Sequence, residues 1–334
     1  MIWIFNQLGR LPLSVLHRLG TLFGWVTYLS SEIYANRMRE NLRNGMEYIK
    51  GKDSFSETEF RKILHSSVSE VGKSALELPW VWKRPLDEVV ASVKYCQGWQ
   101  HIEAAQIKGK GVLMLTPHFG CFELIGLYIA ARQPMTSMYR PPKWKFLDIL
   151  MHEGRERGQT KLAATDMGGV RQLLKALKRG ETVGVLPDQV PGNGEGEWSS
   201  FFGQPAFTMT LIGRLIQSSG ATMVMCSCKR LPQGKGFELN ISPLIIDESA
   251  SISQQINTSM ERVIATCPEQ YLWSYNRYKV PRGALPPDGL YNSETPKIEA
   301  RDARCPLSNP PPVGEGATDS LRESRVNAVK EVKR

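Results

Sequence analysis

The segment Thr116-Pro117-His118-Phe119-Gly120-Cys121-Phe122-Glu123 combines residue types and spacing that could do chemistry. It follows the apolar run Val112 to Leu115, which reads as a strand, and Glu123 falls about one turn into an expected helix. A histidine at the carboxyl end of a strand can be held by a carboxylate five residues on. The acid accepts from one ring nitrogen, and the other is then free to take a proton from a hydroxyl. The carboxylate would fix the tautomer and stabilise the imidazolium, so His118 reads as a general base oriented by Glu123. Taken alone the pattern is common, because many histidines are simply hydrogen-bonded structural groups.

Five short apolar runs begin at Gly111, Thr136, Thr182, Thr222 and Phe237, separated by the helix-compatible stretches 121–132, 143–157, 168–179 and 208–219. This alternation predicts an α/β fold with a largely parallel sheet, whose chemistry gathers at the carboxyl ends of the strands. Residues 54–82 read as a helix opened by Ser54 or Ser56 and closed near Pro79.

Residues 1–31 hold no acid and only two formally charged side chains, Arg10 and Arg18, among a dense apolar and aromatic set. Leu11 to Leu29 is about long enough to cross a bilayer, although His17, Arg18 and two glycines weaken it; positions 8, 11, 15, 19, 22 and 26 also form a stripe suited to the membrane interface. The expectation is a membrane anchor, spanning or interfacial, over 1–31 and a helical region over 32–98. A catalytic α/β domain should follow over 99–284. Arg37, Arg39, Arg43 and Lys50 lie close behind the anchor, where they could meet anionic headgroups or form a solvated face. From 285 to 334 prolines abound and core-forming residues are few, which predicts a disordered tail. That tail is charge-balanced, so the whole formal charge of +9 belongs to residues 1–284 and favours acidic partners. No zinc-finger spacing or aromatic RNA-binding pattern argues for nucleic acid. Six scattered cysteines form no CxxC pair and no metal-ligand cluster with histidine, so no metal is expected and a reducing location fits. Cys226 and Cys228 share one face of a strand and read as buried small side chains.

Further blocks stand in order along the chain: Met138-Tyr139-Arg140-Pro141-Pro142, Gly154-Arg155-Glu156-Arg157-Gly158, Val185-Leu186-Pro187-Asp188-Gln189 and Phe201-Phe202-Gly203-Gln204-Pro205-Ala206. Together with His118 and Glu123 they resemble the lipid A secondary acyltransferases of Gram-negative bacteria, within the wider HxxxxD/E glycerolipid acyltransferase superfamily. The resemblance runs from the N-terminus to roughly residue 280. It departs from the glycerophosphate branch, which usually has Asn where Pro117 stands and an acid-Gly-Thr-Arg block where Phe-Phe-Gly stands here.

The resemblance implies a glycerolipid-acyltransferase-like sheet with flanking helices, at the inner membrane and facing the cytoplasm. It implies transfer of a fatty acyl chain from an acyl carrier protein thioester to the hydroxyl of a 3-hydroxyacyl chain on a lipid A precursor. No cofactor is implied, since the donor is already activated. Arg155 and Arg157 are candidates for holding phosphate, because the guanidinium fork suits it, or belong to a solvated helix face. Arg140 either joins them at the sheet edge or anchors its loop. Asp188 either orients a basic residue or closes the site, or caps a strand end. Phe202, with Phe201, either shapes an acyl-chain channel or packs in the core. Two alternatives stand beside this reading: acylation of another membrane glycolipid or glycerolipid, and a non-catalytic basic protein that binds membranes.

Overall fold

A computed structural model describes residues 2–287, apart from 193 and 248. The disordered tail expected from residue 285 lies, except for its first three residues, outside the described residues.

The N-terminal third is helical: α1 (Ile2–Leu8), α2 (Leu13–Ser30), α3 (Glu32–Lys50), α4 (Glu57–Lys83) and α5 (Leu86–Ala91). The α/β part follows as β1 (Val93–Gln97), α6 (Trp99–Ile107), β2 (Val112–Leu115), α7 (Phe122–Ala130), β3 (Met135–Tyr139), α8 (Lys145–Arg155), β4 (Thr160–Ala164), α9 (Met167–Lys178) and β5 (Thr182–Val185). A hairpin of β6 (Gly196–Phe201) and β7 (Gln204–Met209) precedes α10 (Leu211–Ser219), β8 (Thr222–Arg230), β9 (Phe237–Pro243) and α11 (Ile252–Thr266).

Seven strands form one sheet in the order β1-β9-β8-β2-β5-β3-β4, with β6 and β7 forming a separate two-stranded sheet. Every pairing in the large sheet is parallel except β8 with β9. Strands β2 and β5 are buried at every position, as expected where helices flank a parallel sheet. Each expected apolar run became a strand of this sheet. Strands β1 and β4 and the hairpin were not anticipated. Strand β1 is a mixed-polarity edge strand, paired only with β9, in a stretch read as helical.

Ser56 accepts from the Glu59 amide and caps α4. Pro79, expected to end that helix, lies inside it, because buried Trp80, Val81 and Trp82 carry the helix on to Lys83. Helix α2 crosses α4 at glycines: a Cβ on Gly72 would stand 1.9 Å from the Gly20 carbonyl oxygen, and one on Gly24 would stand 2.2 Å from that of Val68. The α2 face toward the protein buries Leu13, Leu16, His17, Gly20 and Gly24, while Leu19, Leu22, Phe23, Val26 and Leu29 are exposed.

Among the described residues no helix is long and apolar enough to cross a membrane. The spanning form of the N-terminal anchor is therefore not supported: Pro12 separates α1 from α2, and α2 spends one face on α4. Cys226 and Cys228 are buried and free, side by side in the inward register of β8.

Candidate active site

The loop that leaves β2 is pinned by backbone hydrogen bonds. The Gly120 amide donates to the Gln270 carbonyl at 2.9 Å, Cys121 to Cys228 at 2.8 Å, and Leu272 to His118 at 3.1 Å. Gly120 has a φ of +56°, and a Cβ there would stand 2.0 Å from the Cys228 carbonyl oxygen. Only glycine lets the chain pass β8 this closely and then enter α7.

The carboxylate that meets the histidine is Asp188. His118 Nδ1 lies 2.9 Å from Asp188 Oδ1, and the His118 backbone amide donates to Asp188 Oδ2 at 2.8 Å. Sheet register explains the meeting. Strands β2 and β5 are adjacent and parallel with Leu115 opposite Val185, so the residues three beyond each end lie side by side. Burial pushes the Asp188 carboxyl up, but the His118 ring and its two hydrogen bonds outweigh burial and hold it below the usual carboxylate range. An ionised carboxylate only accepts, so Nδ1 carries a proton, and in the neutral ring the lone pair is on Nε2. The Gln189 side-chain nitrogen lies 3.4 Å from Nε2, where an amide can donate weakly to that lone pair. Tyr271, buried beside Asp188, has its hydroxyl held well above its ordinary range by burial and by the negative carboxylate.

The sequence expectation pairs Glu123 with His118, whereas the structure pairs it with Arg155. No hydrogen bond or ion pair joins Glu123 to His118 among the described residues. The Glu123 carboxylate instead receives both arms of the Arg155 fork, with Nε donating at 2.8 Å, and the Trp82 indole N–H at 3.2 Å. A bidentate guanidinium from α8 is a much stronger partner for a carboxylate than a neutral imidazole. Burial works against the Arg155 charge, and Glu123 more than restores it.

Beside this pair lies an apolar pocket walled by Met114, Phe122, Leu127, Met135 and Leu186, with Glu123 and Arg155 as charged lining groups. Phe122 also stacks edge-on against His118 with ring centroids 4.7 Å apart, so histidine and pocket share a wall. Gly184 keeps that space open: a Cβ would stand 2.6 Å from the Met135 Cε.

Three other expected site residues do not line this pocket. Arg157 donates to the carbonyls of Val81 and Arg84, satisfying the end of α4 rather than joining the pocket. Phe202 forms the β6–β7 turn and is buried against Trp273 and Tyr48, its amide donating to Glu261 at 2.6 Å; it does not line the pocket. Arg140 is exposed immediately after β3. Sequence reasoning missed Trp82 and Arg230. A signal for Arg230 existed, because it continues the inward register of Cys226 and Cys228, where a cation demands buried acids. Those acids are Glu77 and Glu70 on α4, and Arg230 Nη2 also donates to the Gly120 carbonyl at 2.7 Å. Among the described residues no group of three or more His, Cys, Asp or Glu side chains is arranged to hold a metal ion.

The chain is 28% identical over 291 residues to a lipid A biosynthesis lauroyltransferase of Escherichia coli (strain K12), covering 86% of this chain and 91% of that protein. It is 28% identical over 287 residues to a lipid A biosynthesis palmitoleoyltransferase of the same organism, covering 84% and 89%. Similarity to its lipid A biosynthesis myristoyltransferase is more limited, 25% over 189 residues, covering 53% and 56%. Residues 1–280 match the bacterial lipid A biosynthesis acyltransferase family, so the chain belongs to that family and is an acyltransferase of the lipid A secondary type.

Proposed function

We propose that this acyltransferase moves a fatty acyl chain from the thioester of acyl carrier protein to the hydroxyl of a 3-hydroxyacyl chain on a lipid A precursor. The observation that carries the reading is His118: its Nδ1 is held by a buried carboxylate, and its ring packs on Phe122, which also walls an apolar pocket. The acceptor hydroxyl gives its proton to His118 Nε2 as its oxygen attacks the thioester carbonyl carbon. The tetrahedral intermediate then collapses, the carbon–sulfur bond breaks, and the imidazolium returns the proton to the leaving thiolate. Ester and free thiol result, and Asp188 stays ionised throughout. The apolar pocket is suited to the acyl chain. Neither cofactor nor metal is needed for this balance.

The same reading places the enzyme on the cytoplasmic face of the bacterial inner membrane, where carrier protein and precursor lipid meet. The apolar face of α2, exposed beside α1, supports contact with the bilayer interface.

The test is mass spectrometry of lipid A from cells making the wild type, His118→Ala or no protein. The wild type should add the mass of one fatty acyl residue, and His118→Ala should lower kcat by about 10²–10⁴-fold while still binding vesicles. Undiminished transfer by the variant would remove His118 from the chemistry.

A further inference from the structure

The four basic residues of α3 have different fates. Arg43 pairs with Glu57 at 2.8 Å, Lys50 pairs with Glu59, and Arg39 donates to Asn36 at 2.8 Å. Arg37 is half-buried and forms neither an ion pair nor a side-chain hydrogen bond among the described residues. One turn further along the same helix face, Asn41 Nδ2 donates to the carbonyls of Trp273 at 2.7 Å and Tyr275 at 3.0 Å. That stitches α3 to the segment carrying Lys279. The Lys279 ammonium stands 5.7 Å from the centre of the Tyr275 ring, and the Tyr275 hydroxyl accepts from the Val190 amide at 2.9 Å. Val190 is two residues from Asp188, which holds His118.

Arg140 approaches from the sheet. It is the first residue past β3, which pairs with β5, so it emerges at the same carboxyl edge as Asp188. It too makes no ion pair among the described residues. The Asn41 hydrogen bonds to the segment before Lys279 and the pairing of β3 with β5 bring Arg37, Arg140 and Lys279 to one edge of the protein, and burial, then the charges of Arg140 and Arg37, hold the Lys279 ammonium below its ordinary range. Three segments far apart in sequence thus bring like charges together beside the site, with no acid paired to them among the described residues. Such an arrangement is unfavourable when empty and is relieved by a multivalent anion.

We propose that Arg37, Arg140 and Lys279 form a phosphate-binding site next to the His118 loop. Two guanidiniums and an ammonium suit the oxygens of a phosphate ester. On the proposed function, that ester is either a phosphate of the acceptor lipid's headgroup or the phosphodiester of the donor's pantetheine arm. Binding it there would anchor a substrate by a group remote from the reacting atoms and set its approach to Nε2.

The experiment compares the wild type with Arg37→Ala, Lys279→Ala and the double variant, all at or near the surface. Steady-state rates are measured with phosphorylated and dephosphorylated acceptor lipid, and with acyl-phosphopantetheine and acyl-pantetheine as donors. If the site serves the acceptor, KM for phosphorylated acceptor rises about tenfold or more in the double variant, kcat falls far less, and KM for dephosphorylated acceptor does not change. If it serves the donor, the same pattern appears for the phosphorylated donor. A KM loss equal for phosphorylated and dephosphorylated substrates, or no loss at all, overturns the proposal. Inorganic pyrophosphate binding, followed by calorimetry, decides the matter independently of turnover. The double variant should bind about tenfold or more weakly with a flatter salt dependence, and unchanged binding would equally overturn the site. Should the wild type transfer to no hydroxyacylated lipid, the functional reading falls while the pyrophosphate result still judges the site.

Discussion

Asp188 and Glu123 are the two carboxylates at the candidate site, and their partners separate their roles. Asp188 holds the ring, and Glu123 holds Arg155. Replacing Asp188 by Asn puts an amide donor beside Nδ1, which favours the tautomer with the proton on Nε2 and removes the base. The expected loss in kcat is about 10²–10⁴-fold, with the melting temperature changed less. Glu123→Gln leaves His118 and Asp188 in contact but deprives Arg155 of its counter-ion, so a lowered melting temperature should accompany a smaller fall in kcat. Steady-state kinetics and thermal melts on both variants make the comparison. A Glu123→Gln enzyme that melts like the wild type yet loses as much kcat as Asp188→Asn would return the Glu123 carboxylate to the chemistry.

Among the elements, α2 shows how one helix can serve two surroundings. Glycines on its inner face let it lie against α4, and its outer face leaves Leu22, Phe23, Val26 and Leu29 exposed. Burying a leucine or valine in an apolar environment is worth about 1.5–3 kcal/mol. Leu22→Glu combined with Val26→Glu should therefore weaken binding to phosphatidylethanolamine–phosphatidylglycerol vesicles by about 10²-fold or more, measured by flotation. The fold should survive, because neither side chain is buried. Flotation equal to that of the wild type would show that the bilayer is not what covers this face.

Across the whole molecule, a buried charge network joins the helical layer to the loop that carries His118. Arg230 of β8 donates to Glu77 at 2.8 and 2.6 Å and to Glu70 at 3.1 Å, while His17 of α2 lies 3.3 Å from Glu77. Burial raises the Glu77 carboxyl, but the Arg230 charge and the hydrogen bonds to it outweigh that and leave it below its ordinary 4.5. A depressed carboxylate contributes stability that is complete above the unfolded value and is lost as pH falls through the folded one. Asp188 has the same sign, so the protein should lose stability in acid below about pH 4.5. Glu77→Gln should cost about 3–5 kcal/mol at neutral pH, since it leaves Arg230 buried against a neutral amide, and should flatten the acid limb. Denaturant titrations across that pH range check this, and a variant as stable and as acid-sensitive as the wild type would contradict it.

The α/β architecture, the loop bearing His118 and the family were legible in the sequence, because apolar period and strand-end motifs are local properties of the chain. Five apolar runs became strands of one sheet, and His118 lies just past the end of β2. Strand β1 and the continuation of α4 through Pro79 were not legible, since their stability comes from β9 and from buried tryptophans rather than from their own sequence. The identity of the histidine's acid was decided only by tertiary structure. Glu123 is five residues away along the chain and Asp188 is seventy, yet the in-register pairing of β2 with β5 brings the distant one to the ring. Sequence spacing reports which groups can meet within a turn of helix; the sheet determines which ones do.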